Sequence, residues 1–89
     1  MMIVRLHPEV QHVRTGEQHL LLDQRDGGYY ALNPSAATLI DQLTTGATAA
    51  HLADTLAGRF QIDSGRARAD VLALVVELNN SGLLLEDGR

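Results

Sequence analysis

The sequence predicts an α+β fold in which a three-stranded antiparallel sheet is followed by three helices. Three observations carry this. Apolar residues recur with period two between Val10 and Leu32, the period changes to 3.6 after Leu32, and glycine-bearing turns punctuate the first part. With 89 residues, 45% of them hydrophobic, the chain reads as a single domain over residues 1–89 with a thin core.

The elements follow in order. Residues Ile3 to Leu6 supply an extended N-terminal piece that Pro8 closes. "VQHVR" alternates apolar and polar residues, "TGEQ" turns the chain, and "HLLLDQ" is a short apolar run. "RDGG" makes a hairpin turn, because Gly27 and Gly28 tolerate the positive φ that tight loops demand, and "YYAL" is the third strand. Asn33 is a good N-cap and Pro34 suits the first helical position, so a helix runs from Pro34 with Ala36, Ala37, Leu39, Ile40 and Leu43 inward until Gly46 caps it. Thr48 opens a second helix through "AAHLADTLAGRF", with Leu52, Leu56 and Phe60 inward and Gly58 weakening its last turn. Ser64 caps a third, "GRARADVLALVVELNN", which stops at Gly82, and "GLLLE" adds a short extended end over the core. Strands followed by closely spaced helices have the outline of a winged helix-turn-helix domain.

Composition excludes several functions. Without cysteine there is no disulfide and no thiolate metal site. The longest apolar runs, such as "LALVVEL", fall far short of the ~20 residues a bilayer span needs, and the N-terminus lacks the basic-then-apolar order of a signal peptide, so a soluble cytoplasmic protein is expected, with no membrane partner. Seven Arg, no Lys and eleven acidic residues give a net charge of −4, which argues against nucleic acid as a partner.

No catalytic or cofactor motif emerges. His7, His12, His19 and His51 are scattered over different elements without metal-ligand spacing, although His12 and His19 could face each other across the first hairpin. A phosphate loop with lysine is impossible, Ser35, Ser64 and Ser81 sit at helix ends, and Asp23 and Asp26 belong to a turn. The expectation is a binding protein with no enzymatic activity, no cofactor and no metal.

The third predicted helix is more apolar than one-sided packing requires. At 100° per residue, Ala67, Val71, Leu74 and Leu78 form the core stripe. Ala69, Leu72, Val75 and Val76 continue the apolar surface round one side, bordered by Arg68 and Asn79, while the polar arc shrinks to Arg66, Asp70, Ala73 and Glu77. In one reading the extra stripe packs against the N-terminal piece or Leu83 to Leu85. In the other it walls a groove for an apolar partner, with the third strand as the opposite wall. That strand is a sheet edge, and "GYYAL" carries no charge, proline or bulge to blunt it. An unprotected edge beside a spare helix face suits strand addition. Tyr29 and Tyr30 point to opposite faces, so one of them, expected to be Tyr30, meets the helices.

"DGGYYALNPSAATLIDQLTTGAT" and "DVLALVVELNNSGLLLE" resemble the small PqqD-like peptide chaperones, also called RiPP recognition elements, nearest to the stand-alone form that serves lasso peptide biosynthesis. The resemblance covers Leu6 to Leu85. It implies a non-catalytic winged helix-turn-helix-like module that captures the leader segment of a ribosomally made precursor as an extra antiparallel strand. Carried over by position, the backbone of Gly28, Tyr29, Tyr30, Ala31 and Leu32 would bond the leader. Tyr30, Leu32, Leu72, Val75 and Val76 would line pockets suited to the Tyr, Pro and Leu of such leaders, with Arg68, Ala69 and Asn79 at the rim. The implied partners are a leader-cleaving cysteine peptidase and, further along, an ATP-dependent macrolactam-forming cyclase, activities that the chain itself lacks. Two alternatives are set beside this one. A DNA-binding winged-helix regulator would need base-reading polar residues on the third helix, which presents Leu72, Val75 and Val76 instead. A peptide chaperone of another pathway, such as pyrroloquinoline quinone synthesis, keeps the same chemistry.

Overall fold

Glycine turns divide the N-terminal half into strands as the sequence predicts. The computed structural model describes the backbone of residues 2–88 and the side chains of residues 2–86. β1 spans Met2–Leu6, β2 Val10–Thr15, β3 Gln18–Asp23 and β4 Gly28–Leu32. Gly16 adopts φ 61° in the β2–β3 turn and Gly27 φ 78° in the β3–β4 turn. Gly28 does not share that conformation: it opens β4, and its N–H donates to Asp26 Oδ1 at 2.8 Å. β2, β3 and β4 form an antiparallel meander in that spatial order.

The N-terminal piece corrects the single-sheet expectation. β1 is the centre of a second antiparallel sheet, between β5 (Ala47–Thr48) and β6 (Leu84–Gly88). Met2 pairs with Gly88 and Leu6 with Leu84, so the two ends of the chain close on each other. Six strands in two sheets therefore replace the predicted three in one.

The helices differ in one place. The helix expected from Pro34 to Leu43 divides into α1 (Pro34–Ala37) and α2 (Ile40–Thr45). Thr38 causes the break by local competition: its hydroxyl donates to Ser35 O at 2.7 Å, and the Leu39 N–H turns to Ala36 O at 3.0 Å, a tighter turn than the α-helix allows. Asn33 caps α1 through Oδ1, which accepts from Ala36 N at 2.8 Å. Gly46 ends α2 at φ 99°, where a Cβ would lie 3.1 Å from Ile3 Cγ2. Gly46→Ala is therefore expected to cost about 1–3 kcal/mol of stability in a urea titration.

α3 (Ala49–Phe60) starts at its predicted cap, Thr48, whose Oγ1 accepts from His51 N at 3.1 Å. Leu52 and Leu56 are buried, whereas Phe60 is 40% exposed and lies outside the core. α4 (Ser64–Asn80) is capped by Asp63 and not by Ser64: Asp63 Oδ1 accepts from Arg66 N at 2.7 Å. The core unites both sheets and the helices through Val4, Leu21, Leu39, Ile40, Leu43, Leu52, Leu56, Val71 and Leu78. Each fully buried aliphatic side chain contributes about 1.5–3 kcal/mol relative to exposure. No helix is long and apolar enough to cross a membrane among the described residues.

Candidate functional site

β4 is an edge. β3 pairs with it on one side, Leu21 opposite Tyr30 and His19 opposite Leu32, and among the described residues no strand pairs with the other. Since Leu21 is fully buried, the face it shares with Tyr30 and Leu32 points to the core, and Tyr29 and Ala31 point away. Tyr29 is accordingly 69% exposed, while Tyr30 packs against the core. The doubled tyrosine serves two environments.

Beside that edge lies a cavity of about 400 Å³. Tyr30 and Ala31 form its strand wall, Asn33, Ser35, Ala36 and Leu39 one end, Leu56 and Leu74 its apolar floor, and Asp70, Ala73 and Glu77 its α4 wall. A smaller cavity of about 100 Å³ shares Tyr30 and adds Asp23, Asp26, Gly28, Tyr29, Ser81 and Leu83. The two together make a groove. From Asp70 to Ser81 the helix advances roughly 16 Å, and five residues of β4 extend about 17 Å, so the walls are commensurate.

This geometry reverses which side of α4 faces the sheet edge. The residues expected to be polar and solvent-facing, Asp70, Ala73 and Glu77, form the groove wall together with Leu74. Leu72 and Val76, 50% and 57% exposed, project from the opposite flank with Arg68, Ala69 and Asn79, and none of these lines the groove. Val75 is half-buried against the core. The helical period groups residues into faces, but where α4 docks relative to β4 decides which flank meets the strand. Of the extra stripe, Val75 packs against the core, while Leu72 and Val76 stay exposed outside the groove.

Arg25 ties the two walls together at one end. Its Nε and Nη2 donate to Oδ1 and Oδ2 of Asp23 at 2.9 Å each, and Nη2 also donates to Gly82 O, just beyond the end of α4, at 2.6 Å. The Arg25 side chain, and then the Arg25 backbone N–H, hold the Asp23 carboxyl below its ordinary 3.8. Tyr30 is shifted the other way. Burial first, then the neighbouring Glu77 carboxylate, pushes its phenol up to about 12. Because the folded value is raised, the contribution of Tyr30 to stability is intact below pH 10.0 and is lost as pH rises toward about 12. A tyrosinate absorbance titration should therefore show a step near pH 12 that Tyr30→Phe removes.

His12 and His19 do meet across the first hairpin, Nε2 to Nδ1 at 2.8 Å, but no group of three or more potential metal ligands occurs among the described residues.

Fold and site together define a small α+β module organised around a groove between an open strand edge and a long helix. The chain belongs to the PqqD family, since the family model described as coenzyme PQQ synthesis protein D matches residues 18–84. Its structure is similar to that of a lasso peptide synthetase B1 complexed with the leader peptide, at 34% identity and TM-score 0.80 over 92% of this chain and 96% of that one. The fold is also like that of TbiB1 in complex with the TbiA(beta) leader peptide, at 19% identity and TM-score 0.80 over 90% of this chain and 93% of that one. No curated protein matches the chain.

Proposed function

We propose that this protein captures the leader segment of a ribosomally synthesised lasso precursor peptide, without catalysis, as an added antiparallel strand on β4. The observation that carries this reading is the open edge of β4 alongside a groove of matching length. Backbone groups of Gly28 to Leu32 supply hydrogen bonds that any extended guest can satisfy, and the groove selects among guests through alternate side chains. Apolar guest residues over Leu39, Leu56 and Leu74 bury surface at about 25 cal/mol per Å². The similar lasso peptide synthetase B1, solved with a leader peptide, supports the same use of this chain.

Binding the leader in extended form leaves the remainder of the precursor free for a separate cysteine peptidase, and delivery to that peptidase, with the macrolactam-forming cyclase acting afterwards, completes the proposed role in the cytoplasm. Of the residues assigned from resemblance, Gly28, Tyr29, Tyr30, Ala31 and Leu32 keep their place in this proposal. On α4 the groove contacts pass to Asp70, Ala73, Leu74 and Glu77. A fluorescein-labelled leader from the precursor encoded beside the gene is expected to bind with a Kd of ~1 μM or tighter, about −8 kcal/mol, in an anisotropy titration. Absence of saturable binding would sink the proposal.

A further inference from the structure

We infer that the guest strand accepted by this groove carries a basic side chain, lysine or arginine, on the face that points into it. This rests on the strand-addition reading above and adds the chemistry of the guest. Three carboxylates not held in strong pairs line the groove along its length: Asp26 near the start of β4, Glu77 opposite Tyr30, and Asp70 toward the far end. No Lys, Arg or His lines either cavity among the described residues.

Two arginines pair with carboxylates on this side of the molecule, one tightly and one loosely. Arg25 is spent on Asp23 and Gly82 O. Arg66 approaches Asp70 only at 3.9 Å, with both side chains largely exposed, and can yield to a guest cation. Glu77 meets the neutral phenol of Tyr30 and takes part in no ion pair among the described residues.

An extended segment lying on β4 directs every second side chain toward this wall. Its aliphatic stem can then cover the apolar floor of Leu56 and Leu74 while an ammonium or guanidinium head reaches a carboxylate, as long cationic side chains do at mixed surfaces. An acidic residue at the same position meets only like charge and is disfavoured. The chain's net charge of −4, with no lysine, adds long-range attraction for a basic guest.

The test is a scan of the labelled leader, each residue replaced in turn by Lys and by Glu, with Kd measured against the wild-type protein and against Asp70→Asn/Glu77→Gln. Expected is a run of alternate positions at which Lys binds roughly tenfold or more tighter than Glu, a contrast that falls to about twofold in the double variant. The same contrast should shrink in wild-type protein as salt rises to ~0.5 M, which keeps the test valid should the double variant fold poorly. A leader that binds with equal affinity for Lys and Glu at every position, or a contrast that persists in the folded double variant, overturns this inference and leaves leader capture standing. Failure of the unmodified leader to bind overturns both.

Discussion

Ala73→Trp should weaken leader binding by roughly thirtyfold or more while leaving the fold intact. Ala73 is exposed on the groove wall of α4, so an indole there fills the space between the helix and Tyr30 without entering the core. The intrinsic helix cost of the exchange is small, a few tenths of a kcal/mol, and the thermal midpoint should hardly move. Leu72→Asp is the matched control. Leu72 stands on the opposite flank, half exposed, and a charge placed there should change Kd by no more than about twofold. Anisotropy titrations on the two variants separate the proposed groove beside β4 from the apolar stripe suggested by the sequence. The reverse result, Leu72→Asp weakening binding and Ala73→Trp sparing it, would transfer the site to that stripe.

Arg25→Ala should weaken binding about tenfold although Arg25 lines neither cavity beside β4. One guanidinium holds the buried Asp23 at the end of β3 and the Gly82 carbonyl beyond α4, and so fixes the separation of the groove walls. Its removal leaves Asp23 without its ion pair and Gly82 O without this donor, so the midpoint in urea should also fall. The acid limb provides a second readout. The folded-state value of Asp23 is depressed, so its contribution is present above pH 3.8 and is lost as pH falls through the lowered folded value. Stability measured between pH 5 and pH 2 should therefore drop less steeply in Arg25→Ala than in the wild type. Arg25→Lys restores the charge but not the forked geometry, and should recover only part of the affinity.

Much of this arrangement is legible in the sequence, for local reasons. The turn at Gly27 and the period-two run after it define β4, and the missing charges and prolines on "GYYAL" mark it as an open edge. Caps at Asn33 and Thr48 and the stops at Gly46 and Gly82 follow from short-range hydrogen bonding and positive φ. Alternation alone separates Tyr30 from Tyr29.

What is not legible depends on distant pairing or on docking. β1 and β6 join residues some eighty positions apart, and no local pattern reports such a partner. The break between α1 and α2 comes from one hydroxyl, that of Thr38, in a stretch whose apolar period runs on unbroken. Phe60 has the right spacing for the core but is the last residue of α3 and stays 40% exposed. The groove wall of α4 escapes for a further reason. It carries two carboxylates, Asp70 and Glu77, and only a single large apolar side chain, Leu74, so a search for spare apolar surface leads to Leu72 and Val76 instead. The two carboxylates of that wall come beside the open strand only once the helix is placed.

Strand addition to β4 is tested most directly by a leader series in which each backbone amide is N-methylated in turn. In an antiparallel ladder the amides of one strand alternate between bonding the neighbour and facing away. Methylation should therefore weaken binding roughly tenfold or more at every second residue across about five positions and have little effect at those between. Uniform sensitivity, or none, along a leader that still binds would contradict the account.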